Sequence, residues 1–270
     1  WNRVVGVSKA VIRGIEELCP SLKNRMSLQY YGVPVRPLDI DWQAEAEDSR
    51  NRERPISLIY LGRFVQRQKR IYDYAELAEA LEQLNIPFNL KLIGDGEEYG
   101  PMCTRLRRFL DDGRVEMPGR MTPEEIQPLL EKSDILLVLS DFEGLPLSLL
   151  EGMERGCIPI TYEMNSGIRE LIELEENGFI IPHGNISSVA EVVAQLYNNT
   201  EKRIGMKQHA RNTMVEKGFS QEAMADRYAS LFEEVFAEIE SGEYVRPEAL
   251  TYKSNVGEVL PPPFIMWPRK

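Results

Sequence analysis

Short apolar runs alternate with segments of helical periodicity along most of the chain. The two most apolar runs, Ile56–Leu61 and 134–140, are continuous rather than alternating, which is typical of strands buried on both faces of a parallel sheet. Segments 71–84 and 146–155 repeat apolar residues at helical spacing. Because strands alternate with helices, the pattern predicts an α/β fold in which helices cover both faces of a parallel sheet.

The same pattern predicts the other elements. Further strands are predicted at 3–7, 25–30, Phe88–Ile93, 114–117, 157–161 and Phe179–Ile181. Further helices are predicted at Lys9–Leu18, 98–110, 166–173, Ile186–Asn198, 200–217 and 220–240, with one more that opens at Thr122-Pro-Glu-Glu. Segment 39–55 has no apolar period and is interpreted as a linker or loop, and segment 241–270 as an extended tail.

Composition and charge exclude several classes of protein. The chain has 270 residues, a net charge of −11 and no apolar run long enough for a bilayer, so we expect neither a membrane span nor nucleic-acid binding. Its three cysteines lie far apart, which is typical of thiols in a reducing compartment. Two histidines and no CxxC pair argue against a zinc site or a histidine triad. No signal peptide precedes Trp1, so we expect a cytoplasmic protein, and the lack of an initiating Met indicates a fragment or a processed form.

Ligands of such sheets bind beyond the carboxyl ends of the strands, in the loops after residues 61, 93, 117, 140 and 161. The first of these loops carries four cations, Arg63, Arg67, Lys69 and Arg70. Arg63 as a planar donor fork and Lys69 as a point charge would suit a pyrophosphate. The alternative is a solvated charge run ahead of a helix, and spacing alone leaves both interpretations open.

The segment 140–153 joins the most apolar strand to a helix. Pro146 is predicted at about the first helical position, so the amides of residues 144–147 would point from the helix N-terminus towards a phosphate or a sugar oxygen. Glu143 and Glu151 could accept hydrogen bonds from sugar hydroxyls. In the alternative interpretation, Glu143 is a favourable charge at the helix N-terminus and Glu151 lies on an exposed face.

Other polar turns are less informative. Gly94-Asp-Gly96 follows a strand, but the next glycine comes one residue too late for a dinucleotide fingerprint, so a tight turn is predicted. The turn 117–121 could offer backbone to a nucleobase edge or be a plain connection. Segment 165–167 is interpreted as a helix cap rather than an anion-binding nest. His183 and His209 are interpreted as structural or exposed residues.

Taken in order, these segments resemble the C-terminal domain of retaining glycosyltransferases of family 4, often called group 1, which have the GT-B fold. The resemblance covers roughly residues 4–240 and rests above all on the E-x7-E motif, Glu143 to Glu151, in FEGLPLSLLEGMERGCIPI. The other motifs are YLGRFVQRQKR, FNLKLIGDGEE, VEMPGRM and SGIRELIELEENGFIIP. Each is weak alone, but their order and spacing are specific. The resemblance implies a Rossmann-like sheet that forms the C-terminal half of a GT-B enzyme.

The family's residues carry over motif by motif. The resemblance implies that Arg63 and Lys69 grip the donor diphosphate and that Glu143 meets the donor sugar, which makes these three the expected catalytic residues. It implies that Glu151 holds the ribose. The expected donor-binding positions are Gly62, Gly119, Arg120, Met121, Gly144, Leu145, Pro146, Leu147 and Glu151. Arg70 stands where the family usually has glycine, which adds charge but keeps the clamp.

The resemblance also implies an activity and a domain organisation. A hexose would pass from a nucleotide-diphosphate sugar to an acceptor glycan or lipid, with no cofactor and no metal, in agreement with the lack of a DxD-type cluster. Residues 1–35 would end the N-terminal half and form the hinge, 36–240 would bind the donor, and 241–270 would form the tail. The acceptor domain would lie outside this chain. We therefore expect the chain alone to bind nucleotide weakly and transfer no sugar, and peripheral membrane association of the full-length enzyme stays open.

Two alternative functions remain. A nucleotide-sugar 2-epimerase would use two such domains, but it needs acid and base carboxylates that we cannot place in this sequence. A non-catalytic nucleotide-binding module would be indicated by loss of Arg63, Lys69 or Glu151, and all three are present. The failed glycine fingerprint disfavours a NAD-dependent dehydrogenase.

Overall fold

A computed structural model describes residues 3–35, 42 and 54–242. Its main feature is a six-stranded sheet in the order β5-β4-β3-β6-β7-β8, in which all neighbouring strands are parallel. The strands are β3 (Ile56–Leu61), β4 (Phe88–Ile93), β5 (Val115–Gly119), β6 (Ile135–Val138), β7 (Ile158–Tyr162) and β8 (Phe179–Ile181). The α/β prediction is therefore confirmed.

Helices connect the strands and follow them. They are α1 (Lys9–Leu18), α2 (Gln66–Lys69), α3 (Asp73–Gln83), α4 (Tyr99–Arg105), α5 (Arg107–Asp111), α6 (Pro123–Glu131), α7 (Leu147–Glu154), α8 (Ile168–Leu171), α9 (Ile186–Asn198), α10 (Thr200–Glu216) and α11 (Gln221–Glu240). The predicted single helix over 98–110 is wrong, because the chain breaks at Leu106 into α4 and α5. Helix α2 was not predicted, since four residues are too few for a periodic signal.

The core lies on both sides of the central strands. All four residues of β6 are buried between β3 and β7, as the continuous apolar pattern of this strand predicts. Helix α6 begins as its sequence indicates: the Thr122 side chain accepts from the amide of Glu125, and the Glu125 carboxylate accepts from the amide of Thr122. Such clear local signals place the loops between strands and helices at defined points on the sheet edge.

The first described residues form a separate unit. Strands β1 (Val4–Gly6) and β2 (Met26–Leu28) pair in parallel around α1, and Ser8 caps α1 by accepting from the amide of Val11. The chain then passes Gly32, where a Cβ would lie 2.2 Å from the carbonyl oxygen of Ser220. This close approach fixes the path from β2 towards the six-stranded sheet.

A buried charge cluster lies at the start of β6, away from the loops that follow the strands. Asp134 is inaccessible to solvent, and its carboxylate accepts from Arg54 and from the amide of Ser57, at 2.9 Å in each case. The Lys207 ammonium lies 3.6 Å from it. Burial alone would raise the pKa of Asp134, but the charges of Lys207 and Arg54 hold that pKa below its ordinary value.

Two predicted segments lie mostly outside the described residues. Within 39–55, Trp42 is helical and its ring lies 6.0 Å from the Lys207 ammonium, and Arg54 belongs to the Asp134 cluster. Most of 241–270 is likewise not described. Over the described ranges, no helix combines the length and apolarity needed to cross a membrane.

Candidate functional site

The loops that follow β3, β4 and β5 are joined to one another at the carboxyl edge of the sheet. The amide of Gly62 donates to Ile93 O at 3.0 Å, and the amide of Gly94 donates to Gly119 O at 2.9 Å. Gly94 has a φ of 140°, and a Cβ there would lie 1.8 Å from Gly62 O, so only glycine allows this approach. The turn that begins at Gly94 therefore supports the loop that carries Arg63.

Arg63 is exposed on a fixed backbone. The Tyr60 hydroxyl donates to Arg63 O at 2.7 Å, and glycine at position 62 permits this because a Cβ there would lie 2.7 Å from the same hydroxyl oxygen. The Arg63 guanidinium donates to Gln68 Oε1 at 2.9 Å, and Gln68 Nε2 donates to Phe142 O at 3.2 Å. Sequence analysis missed Gln68, because only the folded chain shows that it links the loops after β3 and β6.

Lys69 and Glu143 form an ion pair across these two loops. Lys69 ends α2, and its ammonium lies 2.5 Å from Glu143 Oε1. The two side chains are only 15% and 11% exposed. The pair is therefore better shielded from solvent than an ordinary surface ion pair. The structure thus brings together two of the residues predicted at the donor diphosphate and sugar, although 74 positions separate them.

The loop before α7 presents backbone amides. Pro146 is the N-cap, with φ −64° and ψ 122°, and not the predicted first helical residue, so the helix begins at Leu147. Within the described part of the chain, the amides of Gly144, Leu145 and Leu147 donate to no backbone carbonyl. The side chains of Leu145 and Pro146 are buried and anchor the loop, whereas Leu147 is exposed. The anchored loop leaves several donors at one helix N-terminus, which suits an anion.

Glu151 lies further along α7, where it borders a cavity of about 200 Å³ between this helix and α6. Val33, Pro123 and Ile126 line the same cavity, so its wall is largely apolar. Although the residue keeps contact with solvent, partial burial raises the pKa of the Glu151 carboxyl. A carboxylate at the edge of an apolar cavity can accept hydrogen bonds from a hydroxyl pair while an apolar ring system occupies the space beside it.

The turn after β5 offers mainly backbone. Gly119 has a φ of 82°, and its carbonyl already accepts from Gly94. Arg120 is exposed, and its Nε lies 3.7 Å from a carboxylate oxygen of Asp95. Met121 is half-buried against the core. Among the described residues, the amides of Arg120 and Met121 donate to no backbone carbonyl, so these amides remain the groups available to a ligand in this turn.

A network beside the clamp escaped sequence analysis. Arg70 follows α2 in the left-handed conformation, with φ 45°, and its Nε donates to buried Asp73 at 2.8 Å. Its Nη1 lies 3.5 Å from Asp141 Oδ1, and His183 Nε2 lies 2.5 Å from the same oxygen. The hydrogen bond to Asp73 raises the pKa of Arg70. The charge of Arg70 is therefore directed at these carboxylates, and the network braces the loop that carries Glu143.

The arrangement defines a chemistry. Arg63, Lys69 and the loop amides can neutralise a diphosphate, while Glu143 and Glu151 can accept from hydroxyl groups on either side of it. Over the described ranges, the group of side chains close enough to hold a metal ion consists of Glu173, Glu176 and His209. None of these three is a predicted site residue, and the group includes no residue of the loops described above.

Comparison with known families agrees with this site. Residues 42–213 match the family described as glycosyl transferases group 1, and this match covers more than half of the chain. The chain belongs to this family.

Individual relatives match only part of their length. N-acetyl-alpha-D-glucosaminyl L-malate synthase of Bacillus anthracis is 28% identical over 186 residues, which cover 69% of this chain and 47% of that protein. Lipopolysaccharide 1,6-galactosyltransferase of Salmonella typhimurium is 30% identical over 180 residues, which cover 66% and 48%. The chain thus spans about half the length of these curated relatives.

Solved structures share the fold. TarM of S. aureus, in a complex whose description names UDP, superposes with a TM-score of 0.71 over 86% of this chain and 44% of that one, at 21% identity. HepE of Anabaena in complex with UDP gives a TM-score of 0.71 over 86% and 64%, at 18% identity. Identities this low establish the fold only, and the predicted Rossmann-like sheet is confirmed.

Proposed function

We propose that this chain is the donor-binding part of a retaining glycosyltransferase that moves a hexose from a nucleotide-diphosphate sugar to an acceptor. The observation that carries the proposal is the convergence of Arg63, the Lys69–Glu143 pair and the free amides before α7 on one edge of the sheet. Relatives named as sugar transferases and UDP-bound neighbours of the same fold support it. No specific observation favours the epimerase, so we propose only the transferase.

Each group has a role in the proposed reaction. The bond between the anomeric carbon and the diphosphate oxygen breaks, and its electron pair leaves with the nucleoside diphosphate. The acceptor oxygen bonds to the anomeric carbon and releases its proton. Arg63 and Lys69, with the amides of Gly144 and Leu147, stabilise the charge that develops on the leaving diphosphate. This stabilisation needs no metal, and we propose none.

Glu143 and Glu151 are assigned to the two ends of the donor. Glu143 adjoins the amide loop and would accept from the hydroxyls of the transferred sugar. Glu151 would accept from the ribose hydroxyls, with the base held by the amides of Arg120 and Met121. The assignment of Glu151 follows from its place at the apolar cavity, on the far side of the amide loop from Lys69 in sequence.

Titration calorimetry tests donor binding. The chain is titrated with UDP, GDP and ADP, with and without magnesium, and with NAD as the control ligand. We expect one nucleoside diphosphate to bind without metal and NAD not to bind. Binding of none of the three would contradict the proposal, as would equal affinity for NAD.

A second titration tests the ribose assignment. Glu151→Ala should weaken a nucleoside diphosphate but leave inorganic pyrophosphate unaffected, because pyrophosphate lacks the ribose. Equal losses for both ligands would remove Glu151 from the ribose position.

We further propose that acceptor recognition involves a second domain outside this chain, since the curated relatives are about twice as long. In the same scheme, residues 1–35 are the hinge region and 36–240 the donor domain. We propose a cytoplasmic location, supported by free thiols at Cys19, Cys103 and Cys157.

A further inference from the structure

A groove lies between α1 and the loop that follows β7, on the side of the amide loop away from the Arg63 clamp in strand order. Its cavity volume is about 530 Å³. Lys9 and Arg13 line it from α1, and Asn165, Ser166 and Arg169 line it from the loop and α8. None of these residues belongs to the proposed donor site. We call it the α1–α8 groove.

Two cations in the groove lack partners. Over the described residues, neither the Lys9 ammonium nor the Arg13 guanidinium makes a hydrogen bond or an ion pair with another side chain. The two carboxylates of the groove are already engaged: Glu163 pairs with Arg169, while Glu170 accepts from the amide of Lys9 at 2.9 Å and from the Tyr30 hydroxyl. Positive charge is therefore left over in a chain whose net charge is −11.

The position of these cations is unfavourable without an anion. Lys9 and Arg13 are one helical turn apart, so their like charges face each other. Both lie in the N-terminal half of α1, which has no acidic residue in its first turn to offset the helix dipole. An anion bound between them would relieve both costs.

The groove adjoins the proposed position of the transferred sugar. The Ser8 hydroxyl, next to Lys9, donates to Gly144 O at 3.2 Å, and the amide of Gly167, next to Ser166, donates to the same oxygen at 2.8 Å. Both walls of the groove are thus tied to the residue that follows Glu143. A ligand in the groove would approach the sugar from the side opposite Lys69.

We infer that the α1–α8 groove is the acceptor subsite and that the acceptor carries a phosphate or carboxylate group, which Lys9 and Arg13 hold. The inference rests on the proposed function and adds the acceptor's charge to it. Asn165 and Ser166 supply polar atoms near the hydroxyl that receives the sugar. The anionic group anchors the acceptor, and the reaction itself involves only the hydroxyl.

The test uses small probes on the 270-residue chain. Backbone amide shifts are followed by NMR during titration with sn-glycerol 3-phosphate, with glycerate, and with glycerol as the uncharged match. We expect saturable shifts at residues 8–13 and 164–167 with the anionic probes, and none with glycerol. The stronger of the two anions tells a phosphate-bearing acceptor from a carboxylate-bearing one.

Matched variants complete the test. Lys9→Gln with Arg13→Gln should weaken the anionic probe roughly five-fold, the order expected for two exposed ion pairs. Arg67→Gln, which removes an exposed cation on α2, should leave probe affinity unchanged. Both double-variant positions are exposed, and an unchanged melting temperature verifies the fold.

Several results would overturn the inference. Equal binding of glycerol would do so, as would wild-type probe affinity in the double variant or shifts confined to residues 62–70 that vanish with nucleotide. Nucleoside diphosphate affinity is measured separately and should not change in the double variant. Loss of donor binding in the wild type would count against the proposed function, whereas intact donor binding without a groove response would count against this inference alone.

Discussion

The Lys69–Glu143 pair gives the sharpest test of the site, because its two members are expected to act differently on a ligand. Lys69→Met removes the cation and leaves the Glu143 carboxylate without its partner in a poorly solvated position. Glu143→Gln removes the carboxylate charge but keeps the shape and a hydrogen-bonding oxygen. Arg67→Met removes an exposed cation from the same helix and serves as the control.

The size of the effect follows from burial. Removing one member of a fully buried ion pair costs about 3–5 kcal/mol. Here the side chains keep 15% and 11% of their exposure. We therefore expect Lys69→Met to lower the free energy of unfolding by about 2 kcal/mol, somewhat below that range because solvent still reaches the pair. The double variant should show a coupling energy of about 1–2 kcal/mol, as expected for residues in contact.

Urea unfolding measures the stability changes, and calorimetric titration with inorganic pyrophosphate measures binding. Lys69→Met should weaken pyrophosphate about ten-fold or more, because a charged hydrogen bond contributes about 1.5–3 kcal/mol. Glu143→Gln should not weaken it, since Lys69 is then free for the phosphate. Zero coupling energy, or the same loss of affinity in Arg67→Met, would refute the reasoning.

Three further predictions concern the loops and the core. Gly94→Ala should destabilise the chain by several kcal/mol in urea unfolding and weaken pyrophosphate, because its Cβ would meet Gly62 O, whereas Gly100→Ala, with open space around it, should not destabilise. Glu151→Gln should raise the melting temperature at pH 7, since a carboxyl with a raised pKa favours folding only when protonated, and the gain should shrink towards pH 4; a constant gain would contradict this. Asp134→Asn should cost about 3 kcal/mol at pH 7, and because its pKa is lowered, the wild-type advantage should be lost as pH falls below the ordinary value of 3.8; an unchanged advantage in acid would contradict the pairing.

The sequence alone determined the sheet and much of the local geometry. Continuous apolar runs identified β3 and β6 as central strands, because a strand covered on both faces has no polar side. Cap residues such as Ser8 and Thr122 marked helix starts within a residue, since a capping side chain satisfies its own helix locally. The order of short motifs was enough to indicate the family, which the family match over residues 42–213 confirms.

Tertiary structure alone decided how the site is assembled. Gln68 and the Arg70–Asp141–His183 network join loops far apart in the chain, and no spacing rule reports such contacts. The break at Leu106 and the role of Pro146 as a cap depend on packing and backbone angles that propensities resolve only weakly. Whether a cation is paired, as Lys69 is, or left over, as Lys9 is, depends on which carboxylates the fold brings within reach.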